Sequence, residues 1–333
     1  MSDVGDGLAF AAGTAVALST SWLLVSRIER LAARLHATEA LLGLVAALAA
    51  DTPEVTASIS ALSGHRQAVS AGVVIGSNVF NLATLLGLSA VVAGRIGLHR
   101  RVVLLNGAIG TWVAAVSLLV VVGAFPPAAG LALVLAAVGP YALIAALPAR
   151  RRRGIPVGGR GRAWIEAAVA EEEGELRTAI EPPPGRLADG LVAAGALVAV
   201  VSASVVMERA AAALGRAHDV PDLVVGAVVL AAVTSLPNAV AAVYLANRGR
   251  GAAMVSTAFN SNAINVAVGL LLPASIAGLG SPSRPETVMT AWYVAMTVLV
   301  ATAAYRRAGL DRRQGSVVLG VYAAFVVVLV LAG

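Results

Sequence analysis

Ten apolar runs separated by short polar turns set the pattern of this chain. Read at the length a bilayer core demands, about 20 residues per helix, they fall at roughly 7–26, 38–62, 68–94, 102–124, 127–148, 188–207, 221–246, 252–279, 287–305 and 315–332. Gly or Pro cuts several of them, so some ends could be re-entrant rather than spanning. The pattern predicts an all-α integral membrane protein with ten transmembrane helices.

Arginine placement supports that count. All but four of the 24 basic residues, every one of them arginine, fall in the turns after the first, third, fifth, seventh and ninth runs. Positive residues favour the cytoplasm, so both termini are expected outside and the segment 149–187 inside. That segment carries Arg150 to Arg153, then a helix expected from Ala163 to Ile180, which Pro182, Pro183 and Pro184 end. It reads as a solvated linker in preference to a lipid-headgroup patch, and it is too short for a separate domain.

The chain also repeats itself. Pro53-Glu54 recurs as Pro237-Asn238 184 residues later, Ser77-Asn78 as Ser261-Asn262, and Asn81 as Asn265. The expected organisation is therefore a first five-helix repeat over 1–148, a cytoplasmic linker over 149–187 and a second five-helix repeat over 188–333. An odd number of spans per half inverts the second half in the membrane. Such inverted repeats are typical of secondary transporters, with the ion site near the midplane.

Composition narrows the function. Hydrophobic residues make up 59% of the 333 and charged residues only 13%, too few to cover a soluble fold of this size. With no cysteine, disulfides and thiolate metal sites are excluded. The net charge of +6 does not mark a nucleic-acid partner, because the arginines sit in short turns with no basic stripe among aromatics. The four histidines (His36, His65, His99 and His218) fall in or near turns without ligand spacing. Asp3 and Asp6 precede the first run, where a cleaved signal peptide would be basic. A multi-pass protein of the cell membrane is expected, with inorganic cations and the lipid bilayer as partners; the sequence does not give an oligomeric state.

The chemistry sits where polar residues interrupt the apolar runs. Within 38–62, Asp51 and Glu54 lie deep in the span, where each carboxylate costs at least about 2.5 kcal/mol and needs a partner. Pro53 frees a backbone carbonyl one turn earlier, and a break there places Glu54 in the first turn of a half-helix, where the dipole favours its charge. In the second half Thr234, Ser235 and Asn238 surround Pro237. Hydroxyls and amides can cap a broken helix, and they are also hard oxygen ligands for Na⁺ and Ca²⁺. Ser77, Asn78 and Asn81 form a third cluster and Ser261, Asn262 and Asn265 a fourth, with Gly72 and Gly76 a small face for close helix contact. Helix-to-helix amide bonding is the ordinary explanation of one such cluster. Two at the repeat offset, beside two Pro breaks, favour an ion site.

These paired segments, TPE with GSNVFN and TSLPN with NSNAIN, resemble the α-repeats of the calcium/cation antiporter superfamily, the sodium/calcium exchanger membrane region. The resemblance implies that Glu54 is the principal divalent-ion carboxylate. It also implies contributions from Ser77 and Asn81 in the first repeat, and from Thr234, Ser235, Ser261 and Asn265 in the second. It implies further that the first and sixth helices slide past the core to alternate access. Three positions depart from the family pattern. Asn238 stands where the second-repeat acid is usual, Asn265 where some exchangers have another carboxylate, and Asp51 where serine is common. The expected ligand set is thus Asp51, Glu54, Ser77, Asn81, Thr234, Ser235, Asn238, Ser261 and Asn265, with Asp51 compensating for the acid missing at 238.

The expected function is secondary-active antiport of Ca²⁺, or a similar divalent cation, for Na⁺. An H⁺-coupled exchanger (Ca²⁺/H⁺ or Na⁺/H⁺) is the alternative, since a desolvated carboxylate can also exchange a proton. A channel fits less well, because its selectivity ring tends to lie on an axis between subunits. No enzyme activity and no cofactor are expected; without a nucleotide-binding loop, an ATP-driven pump is disfavoured.

Overall fold

A computed structural model describes residues 3–34, 47–146, 159–177 and 185–332. The helices follow the apolar runs. In chain order they are α1 (Asp3–Arg34), α2 (Thr52–Ser63), α3 (Gln67–Ala93), α4 (Arg100–Val121), α5 (Pro127–Ala146), α6 (Gly159–Arg177) and α7 (Leu187–Ala217). There follow α8 (Asp222–Thr234), α9 (Leu236–Asn247), α10 (Gly251–Ala277), α11 (Arg284–Arg307) and α12 (Arg312–Ala332). Two three-residue strands, β1 (Arg95–Gly97) and β2 (Gly309–Asp311), pair antiparallel with Ile96 opposite Leu310, joining the end of α3 to the start of α12. Beside them Asp311 accepts from the backbone N–H of Gln314 (2.8 Å) and from Arg307 (2.9 Å), contacts that hold its carboxyl below the usual carboxylate range.

Among the described residues, eight helices are long and apolar enough to cross a membrane; α8 and α9 pass the same test only as a pair, bent by 45° at the break between them, and count as a ninth if the pair is one span. The expected span 38–62 lies partly outside the described residues. Its described part is a helical stretch over 47–50, a turn at Asp51 and then α2.

Two spans run further than the apolar pattern suggests. The sixth apolar run ends at 207, but α7 continues to Ala217 through Glu208, whose side chain is wholly buried. Arg66, from the turn between α2 and α3, bonds Glu208 at 2.8 Å and Ser60 donates to it at 3.0 Å, so the acid enters the packed region as a pair rather than ending the helix. α1 likewise extends to Arg34, with Arg27 paired to Asp189 of α7 at 2.7 Å. The linker helix α6 starts at Gly159 rather than Ala163 and reaches Arg177; the expected end at Ile180 and the three prolines fall outside the described residues. It is not simply solvated. Ala168 and Val169 are buried against Leu105, Tyr141 and Ile144, while Glu171 pairs with Arg101 at 3.2 Å and lies 3.9 Å from His99.

The halves keep the register of the sequence repeat. Leu187, Gly251 and Arg284 open α7, α10 and α11 at 184 residues from Asp3, Gln67 and Arg100, which open α1, α3 and α4. α3 is the centre, its apolar window wholly buried, whereas α1 and α7 pack on each other at the edge and expose apolar side chains such as Trp22 and Leu191. Close approach at the centre depends on glycine. A Cβ on Gly76 would overlap the Ala227 backbone of α8, so α3 and α8 touch backbone to backbone.

Candidate functional site

Both Pro-broken segments break as the sequence predicts, and at equivalent residues. Asp51 precedes α2 at φ −82°, ψ −1°, and Ser235 precedes α9 at φ −86°, ψ −1°. Pro53 and Pro237 occupy the first turn of the helices that follow, where a missing N–H costs nothing. Residues at such helix starts ordinarily cap the backbone. Neither Asp51 nor Ser235 does. Both side chains are turned across to the other half instead.

Asp51 Oδ1 accepts from the Asn238 amide (2.7 Å) and the Ser261 hydroxyl (2.7 Å), while Ser235 donates to Glu54 Oε1. The two carboxyl groups are near enough to act on each other, and the Asn265 side chain lies beside Glu54. Asn81 joins from α3, donating to Ser261 (3.2 Å) and to Asn262 Oδ1 (3.1 Å). Asp51, Glu54, Ser77, Asn81, Ser235, Ser261 and Asn265 are fully buried, Thr234 and Asn238 nearly so.

Oxygen atoms in this cluster lack donors. Asp51 Oδ2, Glu54 Oε2, Ser77 Oγ, Asn81 Oδ1 and Asn265 Oδ1 are all buried without a hydrogen-bond partner. An unmet buried acceptor costs about 1–3 kcal/mol, more for a charged one. No ion pair among the described residues involves either carboxyl. Carboxylate, amide and hydroxyl oxygens with nothing positive beside them are the donor set that Na⁺ and Ca²⁺ take. Only two acids take part; among the described residues no three His, Asp or Glu are grouped so that they could hold a metal ion.

One expected residue stands apart. The Thr234 hydroxyl donates to the Leu230 carbonyl of its own helix (2.9 Å) and bonds neither acid. Asp51, Glu54, Asn81, Ser235, Asn238, Ser261 and Asn265 come together, while Ser77 is buried on α3 one turn before Asn81. The expected set omits Asn78 and Asn262, although their recurrence at the repeat offset marks them; each donates its amide to the other's backbone carbonyl, at 3.2 and 3.1 Å. It also omits Tyr293 of α11, whose buried hydroxyl lies against both of them and which nothing in its apolar run distinguishes. Ser58 is a further omission; it ties α2 to the Gly269 carbonyl (2.7 Å) and to Ser70 (2.8 Å).

α3 and α10 continue this symmetry in their backbones. Directly after Asn81 the helix widens to π-helical over Leu82–Leu88, and in the other half over Asn265–Leu271. π-turns inside α-helices are frequent at functional sites.

The family model for "Sodium/calcium exchanger protein" matches residues 7–148 and 189–331. The chain is 27% identical over 126 residues to sodium/potassium/calcium exchanger 2 of Rattus norvegicus, a stretch covering 35% of this chain and 19% of that protein. It is 30% identical over 141 residues to sodium/potassium/calcium exchanger Nckx30C of Drosophila melanogaster, covering 40% and 16%. The matched stretches thus span less than a fifth of those relatives. Among solved structures, the sodium-calcium exchanger NCX_Mj soaked with 100 mM Na⁺ and 10 mM Sr²⁺ matches with a TM-score of 0.60 at 20% identity, over 97% of each chain. The H⁺/Ca²⁺ exchanger CAX matches with a TM-score of 0.71 at 13% identity, over 98% of this chain and 86% of that one. Apolar helices of spanning length, two Pro breaks in register and a family match across both halves lead to one assignment: this chain is a multi-pass membrane protein of the sodium/calcium exchanger family, within the calcium/cation antiporter superfamily.

Proposed function

We propose that this protein is a secondary-active antiporter that exchanges Ca²⁺, or a similar divalent cation, for Na⁺ across the cell membrane by alternating access. The observation that carries the proposal is the pair Asp51 and Glu54, buried together at the start of one helix and each keeping one oxygen without a donor. Two carboxylates neutralise one divalent ion, and the Ser77, Asn81 and Asn265 oxygens complete its shell. Na⁺ ions compete for the same oxygens. Coupling then follows from mutual exclusion, because the acids cannot serve both ions together and an empty site leaves their charge unmet in the membrane.

The architecture that goes with this reading is ten transmembrane helices in two inverted five-helix repeats over 1–148 and 188–333, with both termini outside and 149–187 cytoplasmic. It is supported by the common register of the helix starts and by the matching breaks at Asp51 and Ser235. The α1–α7 pair, packed on itself and largely lipid-facing, is the unit that would move against the core.

One observation favours a second reading, H⁺-coupled exchange. The site holds two carboxyls and no basic partner, so protons can discharge it as fully as Na⁺ can. Purified protein in liposomes separates the two. Ca²⁺ uptake driven by an outward Na⁺ gradient at equal pH on both sides supports Na⁺ exchange. Uptake driven only by a pH gradient supports proton exchange, and Ca²⁺ current without any counter-ion refutes both.

A further inference from the structure

We infer that Asn78 and Asn262 are positioning residues, a reciprocal clasp that fixes the Asn81 and Asn265 amides so that their oxygen ends are left for the cation. The inference rests on the proposed ion site and adds a device the site needs.

An asparagine side chain is a nearly symmetric fork with a donor on one arm and an acceptor on the other. Inside an ion site its orientation matters, because the NH₂ arm repels a cation and the oxygen arm ligates one. Something must hold the fork. Here the holder is the other half of the molecule. Asn81 spends its NH₂ arm on Asn262 Oδ1 (3.1 Å) and on Ser261 (3.2 Å). Asn265 spends its own on Asn78 Oδ1 (3.3 Å). In both residues Oδ1 remains buried with no donor.

Asn78 and Asn262 can hold those forks only because their own are fixed. Each accepts through Oδ1, and each uses its amide nitrogen on the backbone carbonyl of the other, at 3.2 and 3.1 Å. Flipping either would cost both its bonds and set two NH₂ groups against each other. All four side chains are buried, so water does not compensate. The pattern is two-fold: the residue three positions on in each half is held by the clasp residue of the opposite half. Tyr293 lies beside both clasp asparagines, its buried hydroxyl making no hydrogen bond of its own.

The clasp acts through Asn81 and Asn265 and not on the ion, and this gives the test. Wild type, Asn262→Ala, Asn81→Ala and the double variant are reconstituted in liposomes. The Ca²⁺ concentration for half-maximal uptake is then measured. Size-exclusion profile and melting temperature in detergent accompany each variant. The expected result is a rise of about tenfold for Asn262→Ala, with little further change when Asn81 is already alanine, because the coupled residues act as one unit. Multiplying effects in the double variant would overturn the inference, and so would an unchanged half-maximal concentration in Asn262→Ala. Asn78→Ala, read against Asn265→Ala, is the mirror cycle and decides the same question should one variant fail to fold. Wild type without Ca²⁺ uptake would sink the proposed function itself, a result distinct from either failure of the clasp.

Discussion

Removing the charge of Asp51 while keeping its shape is the sharpest perturbation of the site. Asp51→Asn retains an oxygen to accept from Asn238 and Ser261, both now at 2.7 Å, so the network between the halves survives. What changes is the second oxygen, at present without a donor, which becomes an NH₂ group. Two unit charges about 4 Å apart interact by roughly 4 kcal/mol at an effective dielectric near 20. A divalent ion doubles that figure, and the avoided desolvation of the carboxylate takes several kcal/mol back. Leaving one member of a buried charge pair unmatched typically costs about 3–5 kcal/mol. That corresponds to a weakening of Ca²⁺ binding by about a hundredfold to a few thousandfold.

The assay is Na⁺-gradient-driven ⁴⁵Ca²⁺ uptake in liposomes, titrated in Ca²⁺ and run beside Glu54→Gln. Both variants are expected to lose uptake at concentrations that saturate wild type. Because Asn238 touches Asp51, the double variant Asp51→Ser with Asn238→Glu moves the acid to the other half and is expected to recover transport. If Asp51→Asn keeps its half-maximal Ca²⁺ concentration within threefold of wild type while Glu54→Gln is dead, the idea that Asp51 replaces an acid at 238 is wrong.

Two further outcomes concern the scaffold. Gly76→Val places side-chain atoms where even a Cβ would overlap the Ala227 backbone, so α3 and α8 must separate; the overpacking costs about 1–3 kcal/mol or more and lowers the melting temperature. An unchanged melting temperature would mean that the contact between the two helices is not tight. Arg66→Ala leaves Glu208 buried without its cation, with an expected loss of about 3–5 kcal/mol. Glu208→Gln in the same chain is expected to restore much of that stability, and failure of this rescue would show that Arg66 stabilises by packing alone.

Much of this molecule is determined by local sequence. A span is a property of one segment, since the bilayer demands a run of about 20 apolar residues whatever its neighbours are. The starts of α3, α4, α5 and α10 accordingly fall within two residues of the apolar runs. The breaks at Asp51 and Ser235 are local as well, because proline lacks the N–H that would continue the helix. Where a polar residue's partner lies elsewhere in the chain, sequence stops short. By its local pattern Glu208 lies beyond the end of a span; Arg66, 142 residues away, neutralises it and lets the helix run on.

The same division runs through the site. Composition and spacing pick out the residues of both repeats, because carboxylates, hydroxyls and amides at membrane depth are too costly to be incidental. They do not say which atom meets which. The tertiary structure sets Asn238 against Asp51 across 187 residues. It also commits the donor arms of Asn81 and Asn265 to the opposite half. Orientation of this kind depends on packing between segments that one segment's pattern does not encode. The polar residues of the two repeats can be read along the chain, whereas the place of Tyr293 beside them, and which of their oxygens stay free, are decided only when the two halves close on each other.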